Sequence, residues 1–549
     1  MSPDRKPSDA LEQHYLRALA SAVQAKDFER AFAAAEEAVA RGVEHPKLLG
    51  LAAQKHLRRG APEDAYPLLL RAREADRRNA DILNDLGLCM MQIGRAREAL
   101  GVFDAALRQI PGSAKLYFNK ALAYEVLGEL DHERHALERV ADIDPNHVPA
   151  LNLLALLAVD RDDGDAVRTY AARALSIAPG EVLARIALAT VEIGARNFSE
   201  ARGHIERLLT NPGLGAENRA IAQRLMGDVL DGEGDYPQAF RFYSSATELM
   251  KTYYARTYSD QKSEQTRTRL ARLFDYFSNA PMTAWQAKSP RKAEGGPREH
   301  VFITGFLRSG TTLLGQVLAG HSAVEIMHER DCFGHAVRDF ISPVDGLDHL
   351  ASLDDAALET YRSLYWKNAR GFGRNLDRDV FIDKSPLLTP QLPLVARLFP
   401  TAKILFVYRD PRDVVLSCFR RRFSMNEEKY QMLLLSDIAG TYAATMSLMR
   451  IYREKLSLNI FDARHETLID DFDSETKCIC DFLGLDWEPT LADFGARARA
   501  SNMDTPNSVQ LARGLSHKGV GHWRHYRKEL MPIMLPLAPC CAQFGYPEN

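Results

Sequence analysis

Cysteine is scarce in this sequence, with seven residues in a chain of 549. Two close pairs occur, Cys478 with Cys480 and Cys540 with Cys541, and neither has the CxxC spacing of a structural zinc site. The odd number and the mostly apolar surroundings are typical of reduced thiols in an intracellular protein. We therefore expect neither a disulfide framework nor a metal site.

The sequence also lacks an excess of charge and a long apolar run. Its 70 basic and 73 acidic residues give a formal net charge of -3, which argues against nucleic acid or an anionic membrane as the main partner. No stretch approaches the ~18 apolar residues of a membrane span. The opening residues, MSPDRKPSDALEQ, have no apolar core of the kind a signal peptide needs. The sequence predicts a soluble, cytoplasmic chain without a membrane span.

The alanine-rich first half has an internal period. Pro111, Pro145 and Pro179 follow one another at intervals of thirty-four residues. This half resembles the tetratricopeptide repeat (TPR), which has two helices per thirty-four residues. A plain helical bundle has no reason to space its prolines regularly. Because a single helical repeat cannot bury its own apolar face, six or seven stacked units are expected to form one solenoid.

One repeat carries the TPR packing pattern most clearly. We expect Gly87 and Ala99 to be small because the two helices of the repeat cross closely there, and Gly94 lies at the turn between them. In the following repeat Glu133 replaces the small residue. The positions that match in the two repeats are Leu83, Leu86, Met90, Phe103, Ala106, Tyr117, Ala121, Tyr124 and Gly128.

A change of composition separates the two halves. Pro, Gly and charged residues concentrate in Ala287–His300, after a helical stretch that closes the solenoid. We predict a TPR solenoid over 11–251, a closing helix and linker over 252–298, and a second domain over 299–549. The solenoid is expected either to bind a peptide or protein in its groove or to form a homodimer, and the sequence leaves this choice open.

The second half alternates short hydrophobic runs, such as HVFITG and AKILFVY, with helical periods. This pattern predicts an α/β domain with a central parallel sheet. The complete chain is thus expected to be an all-helical solenoid followed by an α/β domain.

A glycine-rich loop follows the first of these strands and opens a helix, GFLRSGTTLLGQVLAG. Gly305, Gly310 and Thr312 match the phosphate-binding template GxxxxGK[ST]. Thr311 stands where an NTPase needs its lysine, and the positive charge occurs instead at Arg308. The loop therefore predicts an anion site and disfavours a kinase or NTPase.

A second anion site is predicted after the strand AKILFVY. Arg409 lies at the end of that strand, and Asp410 and Pro411 are suited to begin a helix. Ser417 lies about two turns into that helix. Arg409 and Ser417 are therefore placed to reach one anion near the crevice where α/β folds bind nucleotides.

RSGTT at a strand–loop–helix junction, together with the Arg/Ser pair, resembles the sulfotransferases that use 3′-phosphoadenosine 5′-phosphosulfate (PAPS). The segments HETLIDDFDSETKCICDFLGLDWEP and HKGVGHWRHY are also similar to that family, although His517 stands where an arginine often occurs. The resemblance implies PAPS as co-substrate and no metal. It implies donor contacts from Arg308, Ser309, Gly310, Thr311, Thr312, Arg409, Ser417, Lys518 and Gly519.

The acceptor side resembles the protein-tyrosine branch of the family. The small-molecule branch uses a histidine in a KxH element, but FIDKSPLLT has Lys384 with Pro386 in the histidine's place. The protein-tyrosine branch instead has a carboxylate after the loop helix, and Glu329 in IMHERDCF matches it. The resemblance implies Glu329 as the base and Lys384 as the cation on the sulfuryl group, with Arg308 assisting.

Alternatives stay open for these residues. His328 or Asp331 is close enough in sequence to act as the base, and Glu329 fits a solvated carboxylate as well. Lys384 fits an ion pair with Asp383. For the whole chain the alternative to a sulfotransferase is an inactive TPR scaffold with a nucleotide-binding domain. The acceptor, whether tyrosine, sugar or small phenol, is not determined.

Overall fold

The computed structural model describes residues 9–258, 264–281, 283, 285, 297–421, 423–500 and 514–547, without the side chains of 498–500. The chain separates into two compact units, Met1–Leu188 and Ala189–Asn549. Most of the predicted linker, 286–296, lies outside the described residues. The predicted domain limits therefore stay a prediction.

Seven helical hairpins occupy the described residues up to Tyr253, which confirms the predicted helical repeats. Their helices are α1 Asp9–Gln24, α2 Phe28–Ala40, α3 Pro46–Arg58, α4 Pro62–Ala75, α5 Ala80–Gln92, α6 Ala96–Gln109, α7 Ala114–Leu127, α8 Leu130–Ile143, α9 Val148–Asp160, α10 Gly164–Ile177, α11 Val182–Gly194, α12 Phe198–Leu209, α13 Ala216–Glu233 and α14 Tyr236–Tyr253.

The small positions predicted in the third hairpin have the expected cause. A Cβ atom added to Gly87 of α5 would lie 2.5 Å from the Phe103 ring of α6. Ala99 is fully buried in the same cluster. The Asn79 side chain accepts hydrogen bonds from the amides of Asp81 and Ile82, which begins α5. Close helix crossing therefore explains why this repeat needs glycine and alanine.

The second unit contains a five-stranded parallel sheet with the strand order β2-β3-β1-β4-β5, which confirms the predicted fold class. The three central strands carry the continuous hydrophobic runs, as expected for strands covered on both faces. The strands are β1 Glu299–Thr304, β2 Val324–His328, β3 Val380–Lys384, β4 Lys403–Tyr408 and β5 Asn459–Arg464.

Helices cover this sheet. α15 Ala255–Tyr258 and α16 Thr266–Asn279 precede it. The others are α17 Thr311–Leu318, α18 Gly334–Ala336, α19 Gly346–Ser352, α20 Asp355–Gly371, α21 Leu392–Leu398, α22 Pro411–Arg420, α23 Glu427–Tyr430, α24 Leu435–Lys455, α25 His465–Asp470, α26 Phe472–Leu483, α27 Phe494–Ala500 and α28 Met531–Gln543. Short helical turns occur at Val337–Ile341, Thr389–Gln391, Pro489–Asp493, His517–Gly519 and His522–Tyr526.

In the described parts of the chain, no helix is both long enough and apolar enough for a bilayer crossing.

The strand order determines where polar residues meet. β1 lies between β3 and β4, and parallel strands end at the same edge of the sheet. The loop after β1, Glu329 after β2, Lys384 at the end of β3 and Arg409 after β4 all lie at this carboxyl edge. Ligands of open α/β sheets bind in the crevice at such an edge.

Candidate functional site

The loop between β1 and α17 depends on two glycines. A Cβ atom at Gly305 would lie 2.1 Å from the carbonyl oxygen of Val407, so a side chain cannot be accommodated there. Gly310 has φ +108, a backbone conformation that L residues rarely adopt. Arg308 adopts φ +67 without being glycine, and such strained backbone concentrates at functional sites.

The loop leads into the amino terminus of α17. No side chain among the described residues caps this helix, and Leu314 is the residue whose amide donates to the Gly310 carbonyl. The amides before it have no partner within the helix, so they are suited to an anion. Thr311 and Thr312 are buried here, and Ser309 is buried beside them. Ser309, Thr311 and Thr312, which are predicted anion contacts, thus lie at the amino terminus of α17.

The structure brings the predicted anion-binding residues together. The Arg308 Nε donates to the Ser417 Oγ at 3.0 Å. Arg409 donates to the Arg308 carbonyl at 3.4 Å and to the Gly519 carbonyl. Arg409 is 8% exposed, and its Nε has no hydrogen-bond partner among the described residues. A buried donor of this kind fits an anionic ligand.

Positive charge accumulates around these residues. Burial, followed by the charge of Arg421, lowers the pKa of Arg308 to about 9. Burial, with the charges of Arg409 and Arg308, lowers the pKa of His465 to about 3. Asp413 approaches Arg409 at 4.0 Å. Because the charges of Arg308, Arg409 and Arg421 repel one another, a bound anion would stabilise the arrangement.

Two aspartates of α22 and its cap hold the carboxyl-terminal loop beside Arg409. Asp413 accepts from the amides of Gly521 and Trp523 at 2.6 and 2.9 Å. Asp410 accepts from the Trp523 indole at 3.1 Å. These bonds keep Gly519 near Arg409. Lys518 is exposed, and no contact among the described residues joins its side chain to this group.

Glu329 and Lys384 form an ion pair at the same edge of the sheet. The Lys384 Nζ lies 2.5 Å from the Glu329 Oε1, and the Glu329 amide donates to the Lys384 carbonyl at 2.8 Å. The Lys384 side chain is fully buried, whereas the Glu329 side chain is 50% exposed. Asp383 instead accepts from the Tyr365 hydroxyl at 2.7 Å. Lys384 therefore pairs with Glu329, and not with Asp383, which was the alternative to a role on the sulfuryl group.

The position of Lys384 relates this ion pair to the anion-binding loop. A Cβ atom at Gly315 of α17 would lie 3.8 Å from the Lys384 Cγ and 3.5 Å from the His328 Cε1. The Lys384 stem therefore passes along the helix that the loop begins. Glu329 has φ +50, a second strained non-glycine residue beside the crevice.

His328 is a weaker candidate for the base than Glu329. Burial, together with the charges of Lys384 and Arg374, lowers the pKa of His328 to about 3. An imidazole with this pKa has little affinity for a proton at neutral pH. Asp331 is exposed and lies two residues after Glu329. Glu329 differs from both in its direct contact with the buried Lys384.

Sequence reasoning did not single out His465 and Asp413. His465 begins α25 directly after β5, and a Cβ atom at Gly310 would lie 2.5 Å from its Nδ1. Its position directly after a strand could have indicated a site residue, because site residues of parallel sheets follow strands. Asp413 lies four residues after Arg409, but its role depends on the distant loop at Gly521. Among the described residues, no cluster of His, Cys, Asp or Glu is suited to a metal ion.

Two parts of the chain match known sequence families. Residues 300–489 match the sulfotransferase family, and residues 51–114 and 91–148 match the tetratricopeptide repeat. The chain therefore combines a sulfotransferase-family domain with tetratricopeptide repeats, as the sequence predicted.

An uncharacterized protein of Aquifex aeolicus (strain VF5) is 22% identical over 343 residues, which are 60% of this chain and 43% of that protein. The chain thus spans less than half the length of this relative.

Solved structures similar to part of the chain include Pseudomonas aeruginosa pilF (16% identity, 39% of this chain, 93% of that chain, TM-score 0.32). Another is PilW, a type IV pilus biogenesis factor (16% identity, 39% of this chain, 99% of that chain, TM-score 0.35).

Proposed function

We propose that this chain is a PAPS-dependent sulfotransferase that transfers a sulfuryl group to an acceptor hydroxyl. The observation that carries the proposal is the meeting of two arrangements at one edge of the sheet. One is the anion-binding group of Arg308, Arg409 and Ser417. The other is the pair of Glu329 and buried Lys384.

PAPS has two anionic ends. A separate set of residues is suited to each end. The amides that begin α17, with Thr311 and Thr312, are suited to the 5′-phosphosulfate. Arg409 and Ser417 are suited to the 3′-phosphate. Because Arg308 donates to Ser417 and also lies in the loop, it connects the two sites.

The acceptor step needs a base and a positive charge. Glu329 is exposed enough to take the proton of an acceptor hydroxyl, whose oxygen attacks the sulfur. The bond between sulfur and the bridging phosphate oxygen breaks, and adenosine 3′,5′-bisphosphate leaves. Lys384 stabilises the negative charge that develops on the transferring group or the bridging oxygen.

For the repeats we propose binding of a peptide or protein, with a homodimer as the alternative. A bound partner that carried a tyrosine would be presented to the same chain at a raised local concentration. Protein tyrosine is the acceptor that the resemblance of the Glu329 segment to the protein-tyrosine branch implies. Cysteine usage favours a reducing compartment, the cytoplasm.

The first test concerns the donor. We expect the protein to bind adenosine 3′,5′-bisphosphate about 10 to 150 times more tightly than ADP, since charge-assisted bonds to the 3′-phosphate contribute about 1.5 to 3 kcal/mol. Calorimetry with and without magnesium measures this. Equal affinities, or a requirement for magnesium, would contradict the PAPS assignment.

The second test replaces Arg409 by Ala. We expect the affinity for adenosine 3′,5′-bisphosphate to fall by about 1.5 to 3 kcal/mol, because a buried charge-assisted contact is lost. Arg450→Ala, in the exposed pair with Glu454, is the matched control. Since Arg409 also holds the Gly519 carbonyl, urea unfolding should accompany the titration. Unchanged donor affinity in Arg409→Ala would show that this arginine only supports the loop.

An inactive scaffold is the second candidate. It keeps the donor site and differs only in lacking turnover. A protein that binds adenosine 3′,5′-bisphosphate but transfers no labelled sulfuryl group to pools of peptides, glycans and phenols would be this scaffold.

A further inference from the structure

The last repeat hairpin, α13 and α14, packs against the helix that follows β4. Both belong to the second compact unit. The sulfotransferase-family match begins at residue 300 and therefore does not include the hairpin. The Phe240 ring of α14 contacts the Phe419 ring of α22, with the ring centroids 5.2 Å apart. Arg224 of α13 is buried and donates to the Phe419 carbonyl at 2.8 Å. The hairpin thus lies directly on the helix that carries Ser417.

Asp231, near the end of α13, contacts three side chains from two other elements. The Arg420 guanidinium at the end of α22 lies 2.8 Å from the Asp231 Oδ2. From the carboxyl-terminal loop, 517–526, the His522 Nε2 lies 2.9 Å from the Asp231 Oδ1, and the Tyr526 hydroxyl donates to the same oxygen. Burial raises the pKa of Asp231, but the bond from His522 and the charge of Arg420 outweigh burial and lower this pKa to about 2. The carboxylate is therefore ionised at neutral pH.

The carboxyl-terminal loop also contacts the predicted 3′-phosphate site. The Gly519 carbonyl accepts from Arg409. Asp413 accepts from the amides of the residues directly before and after His522, at 2.6 and 2.9 Å. Only two residues separate Gly519 from His522 in the chain. The loop is therefore held by two carboxylates, Asp413 of α22 and Asp231 of the repeat hairpin.

Both residues of the predicted 3′-phosphate pair depend on elements that Asp231 contacts. Charge-assisted hydrogen bonds require a defined geometry, so a shift of the Gly519 carbonyl would move the buried Arg409 guanidinium away from a bound phosphate. Arg420 lies three residues after Ser417 on the same helix, so its pairing with Asp231 fixes the end of α22. One carboxylate of the hairpin therefore supports both sides of this site.

We propose that Asp231 is a positioning residue of the donor site, which orients Arg409 and Ser417 toward the 3′-phosphate through the carboxyl-terminal loop and α22. The last repeat hairpin is then a working part of the donor site as well as a repeat. Asp231 acts through these elements and makes no contact with the donor itself. This inference rests on the proposed sulfotransferase function, because PAPS is the ligand whose 3′-phosphate the pair would hold.

The test uses the full chain and calorimetry with two nucleotides, adenosine 3′,5′-bisphosphate and AMP, which lacks the 3′-phosphate. Asp231→Asn keeps the size of the side chain but removes the charge that Arg420 and His522 contact. We expect this variant to bind adenosine 3′,5′-bisphosphate about 2- to 30-fold more weakly, the range typical of residues that act through packed neighbours, and to bind AMP as before. A merely structural role would affect both nucleotides alike, or neither.

Two further variants accompany this test. Asp235→Asn is the matched control, because Asp235 is exposed at the start of the next helix of the hairpin and asparagine caps a helix equally well. It should bind both nucleotides as the original chain does. Tyr526→Phe removes only the hydroxyl that donates to Asp231, and it should weaken adenosine 3′,5′-bisphosphate binding by a smaller factor without affecting AMP.

The outcomes separate the positioning role from the proposed function. If the original chain does not bind adenosine 3′,5′-bisphosphate, the proposed function itself fails. If it binds, either of two results in Asp231→Asn overturns the positioning role: an equal loss for both nucleotides, or a ratio of the two affinities that changes less than about twofold. If Asp231→Asn does not fold, Tyr526→Phe decides, and an unchanged ratio in that variant overturns the role.

Discussion

Replacement of Glu329 by Gln is expected to lower sulfuryl transfer by about 10² to 10⁴, the range found when a general base is removed. The amide keeps the shape of the side chain and can still accept a hydrogen bond from Lys384. It cannot take the acceptor proton. A single-turnover assay with labelled PAPS measures the loss, and the affinity for adenosine 3′,5′-bisphosphate should stay constant.

Glu325→Gln is the matched control for this variant. Glu325 lies on β2, the strand that Glu329 follows, and approaches Arg374 at 3.6 Å. Full activity of Glu329→Gln would refute the assignment. A large loss in His328→Ala with an active Glu329→Gln would transfer the role to the histidine.

The helical repeats could be predicted because the residues that specify each repeat are close together in the sequence. Each repeat requires the same small residues and turns at the same spacing, so Pro111, Pro145 and Pro179 recur with the period of the structure. Gly87 shows the physical basis, since the Phe103 ring leaves no room for a Cβ atom there. The sheet was predictable for a similar reason, since its buried strands are short continuous hydrophobic runs.

Much of the candidate site could also be predicted, because its residues directly follow strands. Glu329, Lys384 and Arg409 lie at strand ends, and a parallel sheet brings such ends to one edge. The pairing of Lys384 with Glu329 rather than with its neighbour Asp383 could not be predicted. Adjacent residues of a strand point to opposite faces, and the choice of partner depends on the register of β2 with β3.

The contacts between the last repeat hairpin, α13 and α14, and helix α22 could not be predicted from the sequence. Asp231 and Arg420 are separated by 189 residues, and neither lies in a motif. Their pairing depends on how the hairpin packs against the helix, which no local pattern records.

Replacement of Lys384 by Met is expected to lower sulfuryl transfer by about 10² to 10³, the loss typical of removing one preorganised group that stabilises developing charge. Methionine has a similar length and is tolerated in the fully buried position, but it carries no charge. Glu329 is half exposed and can be hydrated when its partner is removed, so unfolding in urea should change little. Lys367→Met, on the exposed side of α20, is the matched control.

The double variant with Glu329→Gln distinguishes catalysis from structural support. Because Glu329 and Lys384 are in direct contact and act on the same transition state, their losses should not add, and the double variant should resemble the slower single one. Single-turnover rates of the four proteins complete the cycle. Fully additive losses would mean that the two residues act independently, and undiminished transfer in Lys384→Met would remove the lysine from the mechanism.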